Sequence, residues 1–294
     1  MSNARVPVKV WVEAARPKTL GAGVVCVLVG TAAAHRFIAW RFVAALIAAV
    51  AVQVAVNYAN DYFDAVKGVD TGERIGPRRV TAAGLVSPAT MRLAVGVALG
   101  VASIPGLALA AVLGPQVIAV GLCSFAAALG YSGGPKPFAS LGLGEVFVFV
   151  FFGLVGTIGS AYVQTHKLLG LAAVAAVPVG FMAAALLLVN NIRDVTSDAA
   201  SGKRTLAVRI GAPAARSVYL ATVIGAFVIT AALAAGYREW PALIGLAAAP
   251  LALAPVKLVR TRSDGPALIQ ALIGTARMQL VYGALLAVGL RLAW

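Results

Sequence analysis

Long apolar runs recur along nearly the whole of this 294-residue chain and constrain its fold more than any other feature. Val43 to Val56, Met91 to Val112, Val146 to Val163 and Leu168 to Val189 approach or exceed the roughly 20 residues with which a helix crosses bilayer hydrocarbon. A soluble helical protein with 61% hydrophobic and 12% charged residues would have no surface left to wet. Frequent Gly and Ala inside the runs suit close helix packing in lipid. The pattern predicts an all-α, polytopic membrane helical bundle of about nine transmembrane helices, at roughly 19–37, 41–63, 91–113, 115–132, 143–163, 168–190, 213–236, 241–258 and 267–291. Residues 1–294 then form one integral membrane domain.

Charge gives that bundle an orientation. Nine crossings place 18 of the 24 basic residues on one side, in the amino-terminal tail and in alternate loops, and five on the other; Arg277 falls inside the last span. The positive-inside rule sets the amino terminus and the basic cap loops in the cytoplasm of a multi-pass cell-membrane protein. The net charge of +14 therefore reports topology, and no nucleic-acid partner is expected. No cleavable signal peptide is expected either, because the first eighteen residues are mixed and basic. Cys26 and Cys123 read as small buried hydrophobes, and His35 and His166 as interfacial residues flanking spans.

The ten acidic residues are more informative. Six lie in two of the cytoplasmic segments: Asp61, Asp64, Asp70 and Glu73 in the first, Asp194 and Asp198 in the second. Carboxylates at the ends of apolar helices are costly unless paired or metal-bound. The two segments also repeat. Asn60 and Asp64 recur 130 positions on as Asn190 and Asp194, and Thr71, Gly72, Arg74 and Arg79 answer to Ser201, Gly202, Arg204 and Arg209. A four-helix pseudo-repeat, approximately 19–140 and 143–270, follows, with the functional site at the interface of the copies.

Asn57, Asn60, Asp61 and Asp64 are spaced to share one helical stripe, and Gly68 lets the chain turn so that Asp70 can fold back toward it. Asn190, Asp194 and Asp198 form a second stripe. Two facing oxygen-rich stripes suit a hard divalent cation such as Mg²⁺, which takes one or two protein carboxylates together with water and phosphate oxygens. Arg74, Arg78, Arg79, Lys203, Arg204 and Arg209 stand beside them, able to hold the remaining oxygens of a diphosphate. Such an assembly stabilises a departing pyrophosphate. A third segment, Tyr131-Ser-Gly-Gly-Pro-Lys136-Pro followed by Gly142-Leu-Gly-Glu145, is a tight loop in which Lys136 is a candidate phosphate or acceptor contact. Glu145 needs a partner, whether a bound acceptor or an arginine. Arg16-Pro17-Lys18-Thr19 reads equally well as a positive anchor or as part of the site.

These segments resemble the UbiA superfamily of intramembrane prenyltransferases, on Asn60-Asp61-Tyr-Phe-Asp64 through Asp70 after the second span and Asp194-x-x-x-Asp198 after the sixth. Some branches carry an Asp at the position of Gly68; its absence here, with Tyr-Ser-Gly-Gly-Pro-Lys-Pro, Gly-Leu-Gly-Glu and Gly202-Lys203-Arg204-Thr205, is similar to the menaquinone branch. The resemblance implies metal ligands Asn60, Asp61, Asp64, Asp194 and Asp198, with Mg²⁺ as cofactor, expected as two ions. It implies catalytic roles for Asp64, Asp70, Asp194, Asp198 and Lys136. Arg16, Arg74, Arg79, Lys203 and Arg204 are the diphosphate contacts it points to, and Tyr131 and Glu145 the acceptor contacts. The implied partners are membrane lipid, a polyprenyl diphosphate donor and a dihydroxynaphthoate or similar aromatic acceptor, joined with loss of the ring carboxylate as CO₂. Other branches would use 4-hydroxybenzoate or homogentisate instead. A carboxylate-coupled transporter is disfavoured because its acids would sit near the bilayer midplane rather than at span ends. A phospholipid head-group transferase would carry its Asp motif on a single segment.

Overall fold

A computed structural model describes residues 6–68 and 79–294. Asp70 and Arg74, two of the expected site residues, lie outside them. The described residues are helical and contain no strand. A short amphipathic helix α1 (Val8–Ala15) leads into a turn at Pro17–Thr19 and then α2 (Gly21–Ala33). The remaining apolar helices are α3 (Ala39–Val66), α4 (Pro88–Leu113), α5 (Gln116–Ser132), α6 (Gly144–Thr165) and α7 (Gly170–Arg193). Two short helices, α8 (Val195–Ala200) and α9 (Leu206–Ile210), precede α10 (Ala212–Tyr237), α11 (Trp240–Thr261) and α12 (Gly265–Leu292).

Every expected span coincides with one of these helices. Seven are long and apolar enough to cross a membrane, which makes this a multi-pass membrane protein. The expected first and fourth spans, α2 and α5, are shorter, with 13 and 17 residues. At 1.5 Å per residue, α2 covers only about 20 Å. It sits inside the bundle, with Val25, Cys26, Val27 and Val29 all buried, so protein rather than lipid surrounds most of it. Helix α7 is the other central element, buried along most of its length. The outer helices instead turn large apolar side chains outward: Leu93, Ile104, Leu122 and Leu253 are each more than 60% exposed. Cys26 is buried as expected, whereas Cys123 is exposed on the outer face of α5.

Glycines let the central helices touch. A Cβ on Gly30 of α2 would come within 2.1 Å of the Thr157 carbonyl oxygen on α6, and one on Gly153 of α6 within 2.6 Å of the Gly180 Cα on α7. Gly153 lies in a π-helical turn, Phe149–Val155, which interrupts α6 where a uniform helix was expected. The eighth span also departs from α-geometry, since Trp240–Ala252 of α11 is wound as a 3₁₀-helix. Pro241 and Pro250 each remove a backbone donor there. Polar ties close the end opposite the acidic segments: Gln164 Oε1 accepts the Ile38 N–H at 2.7 Å, and Arg41 Nη1 donates to the Val163 carbonyl at 2.9 Å.

Replacing Gly30 by Val should lower stability by about 1–3 kcal/mol through overpacking, read as a lower thermal midpoint in detergent. Gly100→Ala on α4, where an added Cβ meets nothing within 4 Å, is the control and should leave the midpoint unchanged or higher. Equal midpoints for Gly30→Val and the parent would show that α2 and α6 do not pack as described.

Candidate active site

The last two turns of α3 carry the first polar stripe, and each of its residues finds a different partner. Asn57 Nδ2 donates to the Ala15 carbonyl at 2.7 Å and to Thr19 Oγ1 at 3.1 Å, fastening the amino-terminal segment to α3. Between those two acceptors Arg16 adopts a left-handed backbone (φ 53°), which turns the chain and places Arg16 on the wall of the central cavity. Asn60 Oδ1 accepts from Ser132 Oγ at 2.5 Å, joining α3 to the end of α5. Lys67, just past α3, donates to the carbonyls of Ser132 and Gly134. Burial holds its ammonium below the ordinary lysine range; the Asp64 carboxylate opposes that effect and Lys203 adds to it.

Asp64 is almost completely buried and binds two cations. Arg79 Nη2 donates to its Oδ2 at 2.6 Å, and Lys203 Nζ lies 3.6 Å from the same oxygen. Lys203 belongs to the segment after α7, so this contact brings the two acidic segments of the sequence to one place. There, Arg193 grips Asp194 with both Nε and Nη2 at 2.7 Å and donates to Asn190 Oδ1 at 2.8 Å. Asp198 is buried on α8, and its carbonyl accepts the Lys203 N–H at 2.8 Å across a turn made by Gly202 (φ 75°). That turn aims Lys203 back toward Asp64.

A cavity of about 670 Å³ opens beside this cluster. Asn60, Asp194 and Asp198 line its polar end, together with the cations Arg16, Arg79 and Lys203. Its interior is apolar, formed by Leu107 of α4, Phe125 of α5 and Phe147, Phe151 and Phe152 of α6. Leu107, Ile118 and Leu122 on its wall are also exposed on the outside of the bundle, so the chamber borders the lipid-facing surface. Tyr131 lies on the wall between the two ends, with its hydroxyl against Gly144, where a Cβ would come within 3.2 Å of it.

Four expected residues are placed otherwise. Asp61 faces the loop after α3 instead of the cavity: Oδ2 accepts the Val80 N–H at 3.0 Å and Oδ1 the Thr81 N–H at 2.8 Å. As i+1 of Asn60 it points about 100° around the helix from that residue, which the i+4 relation to Asn57 conceals. Lys136 is exposed and absent from the cavity wall, because the turn at Gly134 (φ 78°) carries it outward. Arg204 is exposed too, and its carbonyl accepts Arg209 Nε at 3.1 Å, while its neighbour Lys203 turns inward. Glu145 is buried and pairs not with an arginine but with Asn191, whose Nδ2 donates to Oε1 at 2.8 Å. Arg193, Lys67 and Asn191 were not singled out from sequence. Arg193 carried a signal all the same, as a basic residue directly beside the second Asp stripe.

The donor chemistry around the mouth suits a hard cation that enters with phosphate. Asn60, Asp64, Asp194 and Asp198 offer oxygen only. Among the described residues no three His, Cys, Asp or Glu side chains converge tightly enough to cage an ion alone. Magnesium is commonly held in this way, by one or two carboxylates, water and substrate phosphates.

Fold and site together define an intramembrane protein with a charged mouth beside an apolar chamber. The family model of the UbiA prenyltransferase family matches residues 23–280, and the chain belongs to that family. A 1,4-dihydroxy-2-naphthoate octaprenyltransferase of Mycobacterium leprae is 40% identical over 286 residues, covering 96% of each chain. An apo UbiA homolog from Aeropyrum pernix K1 shares the fold with a TM-score of 0.69 at 18% identity, over 93% of this chain and 98% of that one. A UbiA homolog from Archaeoglobus fulgidus, solved bound to GPP and Mg²⁺, superposes with a TM-score of 0.56 at 14% identity, over 94% of this chain and 99% of that one.

Asp61→Ala leaves two buried N–H groups without their acceptor and should cost about 1–3 kcal/mol for each. The thermal midpoint should fall, and fall less in Asp61→Asn, which keeps one acceptor oxygen. A midpoint for Asp61→Ala equal to the parent's would show that the loop does not depend on this carboxylate.

Proposed function

We propose that this protein transfers a polyprenyl group from polyprenyl diphosphate to 1,4-dihydroxy-2-naphthoate with decarboxylation, the step that gives demethylmenaquinol, the hydroquinone of demethylmenaquinone. The observation that carries the reading is the meeting of the two acidic segments, through Asp64 and Lys203, at the polar end of a long apolar chamber. The near full-length likeness to the mycobacterial octaprenyltransferase supports the choice of acceptor.

The isoprenoid tail lies along Leu107, Phe125, Phe151 and Phe152, where burial of its methyl and methylene groups is favourable. Its diphosphate sits at the mouth among Arg16, Arg79 and Lys203. Arg79 and Lys203 both lean on Asp64, and phosphate oxygens offer each a second anionic partner. Asn60, Asp64, Asp194 and Asp198 are the residues that would hold magnesium. When bound, the ion supplies positive charge to the oxygens of the leaving diphosphate. The allylic C–O bond breaks, Arg79 and Lys203 stabilise the charge gathering on the diphosphate, and the aromatic walls keep water from the allylic cation. The electron-rich ring then forms the new C–C bond, and its carboxylate leaves as CO₂, returning the electron pair of that bond to the ring and leaving the hydroquinone. Arg193, clamped to Asp194 and Asn190, holds the second stripe in place. The basic loops and the mouth face the cytoplasm, where soluble acceptor and released pyrophosphate exchange.

Asp64→Asn or Asp194→Asn should abolish turnover in a prenyl-transfer assay while the protein stays folded in membranes. Normal turnover in either variant defeats the assignment. EDTA should silence the enzyme and excess Mg²⁺ restore it. Product mass spectrometry with dihydroxynaphthoate, 4-hydroxybenzoate and homogentisate decides the acceptor.

A further inference from the structure

Glu145 and Asn191 meet beside the cavity in an arrangement that the diphosphate chemistry leaves unused. Glu145 is 6% exposed, opens α6, and accepts a hydrogen bond from Asn191 Nδ2 at Oε1, 2.8 Å away. Its Oε2 is buried without a hydrogen-bond partner among the described residues. Asn191 is on the cavity wall, 8% exposed, one residue beyond the Asn190 that Arg193 holds.

The direction of this bond matters. With Asn191 Nδ2 donating to Glu145 Oε1, the amide is held with its NH₂ toward α6. The other end of the amide, Oδ1, has no hydrogen-bond partner among the described residues. The pair thus leaves the Asn191 amide to meet the cavity through its acceptor oxygen Oδ1, and a wall so built favours a ligand that donates. Tyr131 stands next to it: Gly144, the neighbour of Glu145, has no side chain to hold the Tyr131 hydroxyl away, and Leu187 approaches from α7 on the same side. An amide oxygen on the wall of an apolar cavity gains a hydrogen bond when a ligand O–H reaches it. The first turn of α6 and the end of α7 are also where the polar mouth gives way to the aromatic walls, the position a ring must take to reach an allylic carbon tethered there.

We propose that Glu145 acts as a positioning residue that fixes the orientation of the Asn191 amide, so that the pair selects aromatic acceptors carrying a free ring hydroxyl. The inference rests on the prenyl-transfer reading and names the element that recognises the acceptor within it. Glu145→Leu removes the acceptor and lets the Asn191 amide rotate. Glu145→Gln preserves shape but can donate through Nε2, so Asn191 can present NH₂ to the cavity instead of oxygen.

The test is steady-state kinetics of the full-length protein in lipid nanodiscs, with Mg²⁺, a polyprenyl diphosphate, and either dihydroxynaphthoate or its mono-O-methyl ethers. In the parent, methylation of the recognised hydroxyl should raise the acceptor KM by roughly tenfold, the loss of a hydrogen bond to a charged or strongly held acceptor. In Glu145→Gln and Glu145→Leu the acceptor KM should rise by a similar factor, the preference for free hydroxyl over methyl ether should collapse, and the KM for the prenyl diphosphate should not move. A purely structural role would lower turnover with both acceptors alike and keep the preference, which overturns the inference. Should Glu145→Leu fail to accumulate, Glu145→Gln and the parent's response to the methyl ethers still decide it. Parent turnover of dihydroxynaphthoate with no hydroxyl preference defeats this inference alone, whereas no turnover of any naphthoate defeats the reading on which it rests.

Discussion

A carboxylate buried at the end of a membrane helix is tolerable only if other charges meet it, and in this protein one of the two charges that meet Asp64 comes from the far half of the chain. Arg79 supplies one partner from the loop that follows α3, and Lys203 supplies the second from the loop after α7. Much of the chamber's geometry follows from that convergence. Asn60 reaches Ser132, Lys67 reaches the carbonyls beyond α5, and Asn57 fixes the amino-terminal turn that sets Arg16 on the wall. Arg16, Lys18, Arg79 and Lys203 therefore stand at a mouth whose wall also carries Glu13, Asp194 and Asp198, so among the described residues lining it the cations outnumber the anions that an incoming diphosphate meets. Below it, the aromatic side chains of α6 and the faces of α4 and α5 offer mostly hydrophobic surface.

Burial divides the labour between the helices. The glycines of α2, α6 and α7 allow backbones to approach until a single Cβ would collide, which makes the middle of the bundle rigid. The wall next to lipid is looser in construction, with open glycines on α4 and large side chains exposed on its outer face. A rigid centre holding the charged groups and a lipid-bordering wall holding the apolar chamber is a sensible division for a substrate with a fixed reacting end and a long tail.

Much of this architecture could be read from the chain. The apolar runs located the apolar helices to within a few residues, seven of them long enough to cross a membrane, because the requirement that lipid leave no backbone group unsatisfied permits little except helices. The clustering of six scarce acids, and the 130-residue echo of Asn60 and Asp64, pointed to the two segments that do converge. Shortness of α2 was not legible, since an apolar sequence looks the same whether it faces protein or lipid. Nor were the π turn in α6 and the 3₁₀ winding of α11, which depend on tertiary packing around Gly153 and on paired prolines rather than on hydropathy. At the site, spacing alone could not say which of Asn60 and Asp61 faced inward, nor that the Gly134 turn throws Lys136 outward while Gly202 draws Lys203 in. Glu145 needed a partner on the evidence of its burial, but the identity of that partner, a neutral amide on α7, required three dimensions.

The central claim is that the ends of α3 and α7 serve one diphosphate site. It is tested most directly by Mn²⁺ electron paramagnetic resonance, with Mn²⁺ in place of Mg²⁺ and a non-reactive thiolodiphosphate analogue of the donor. A single bound population with ³¹P coupling is expected, lost when either Asp64 or Asp194 alone is replaced by Asn. A coupled signal that survives both single replacements, or that depends on one helix and ignores the other, would contradict it.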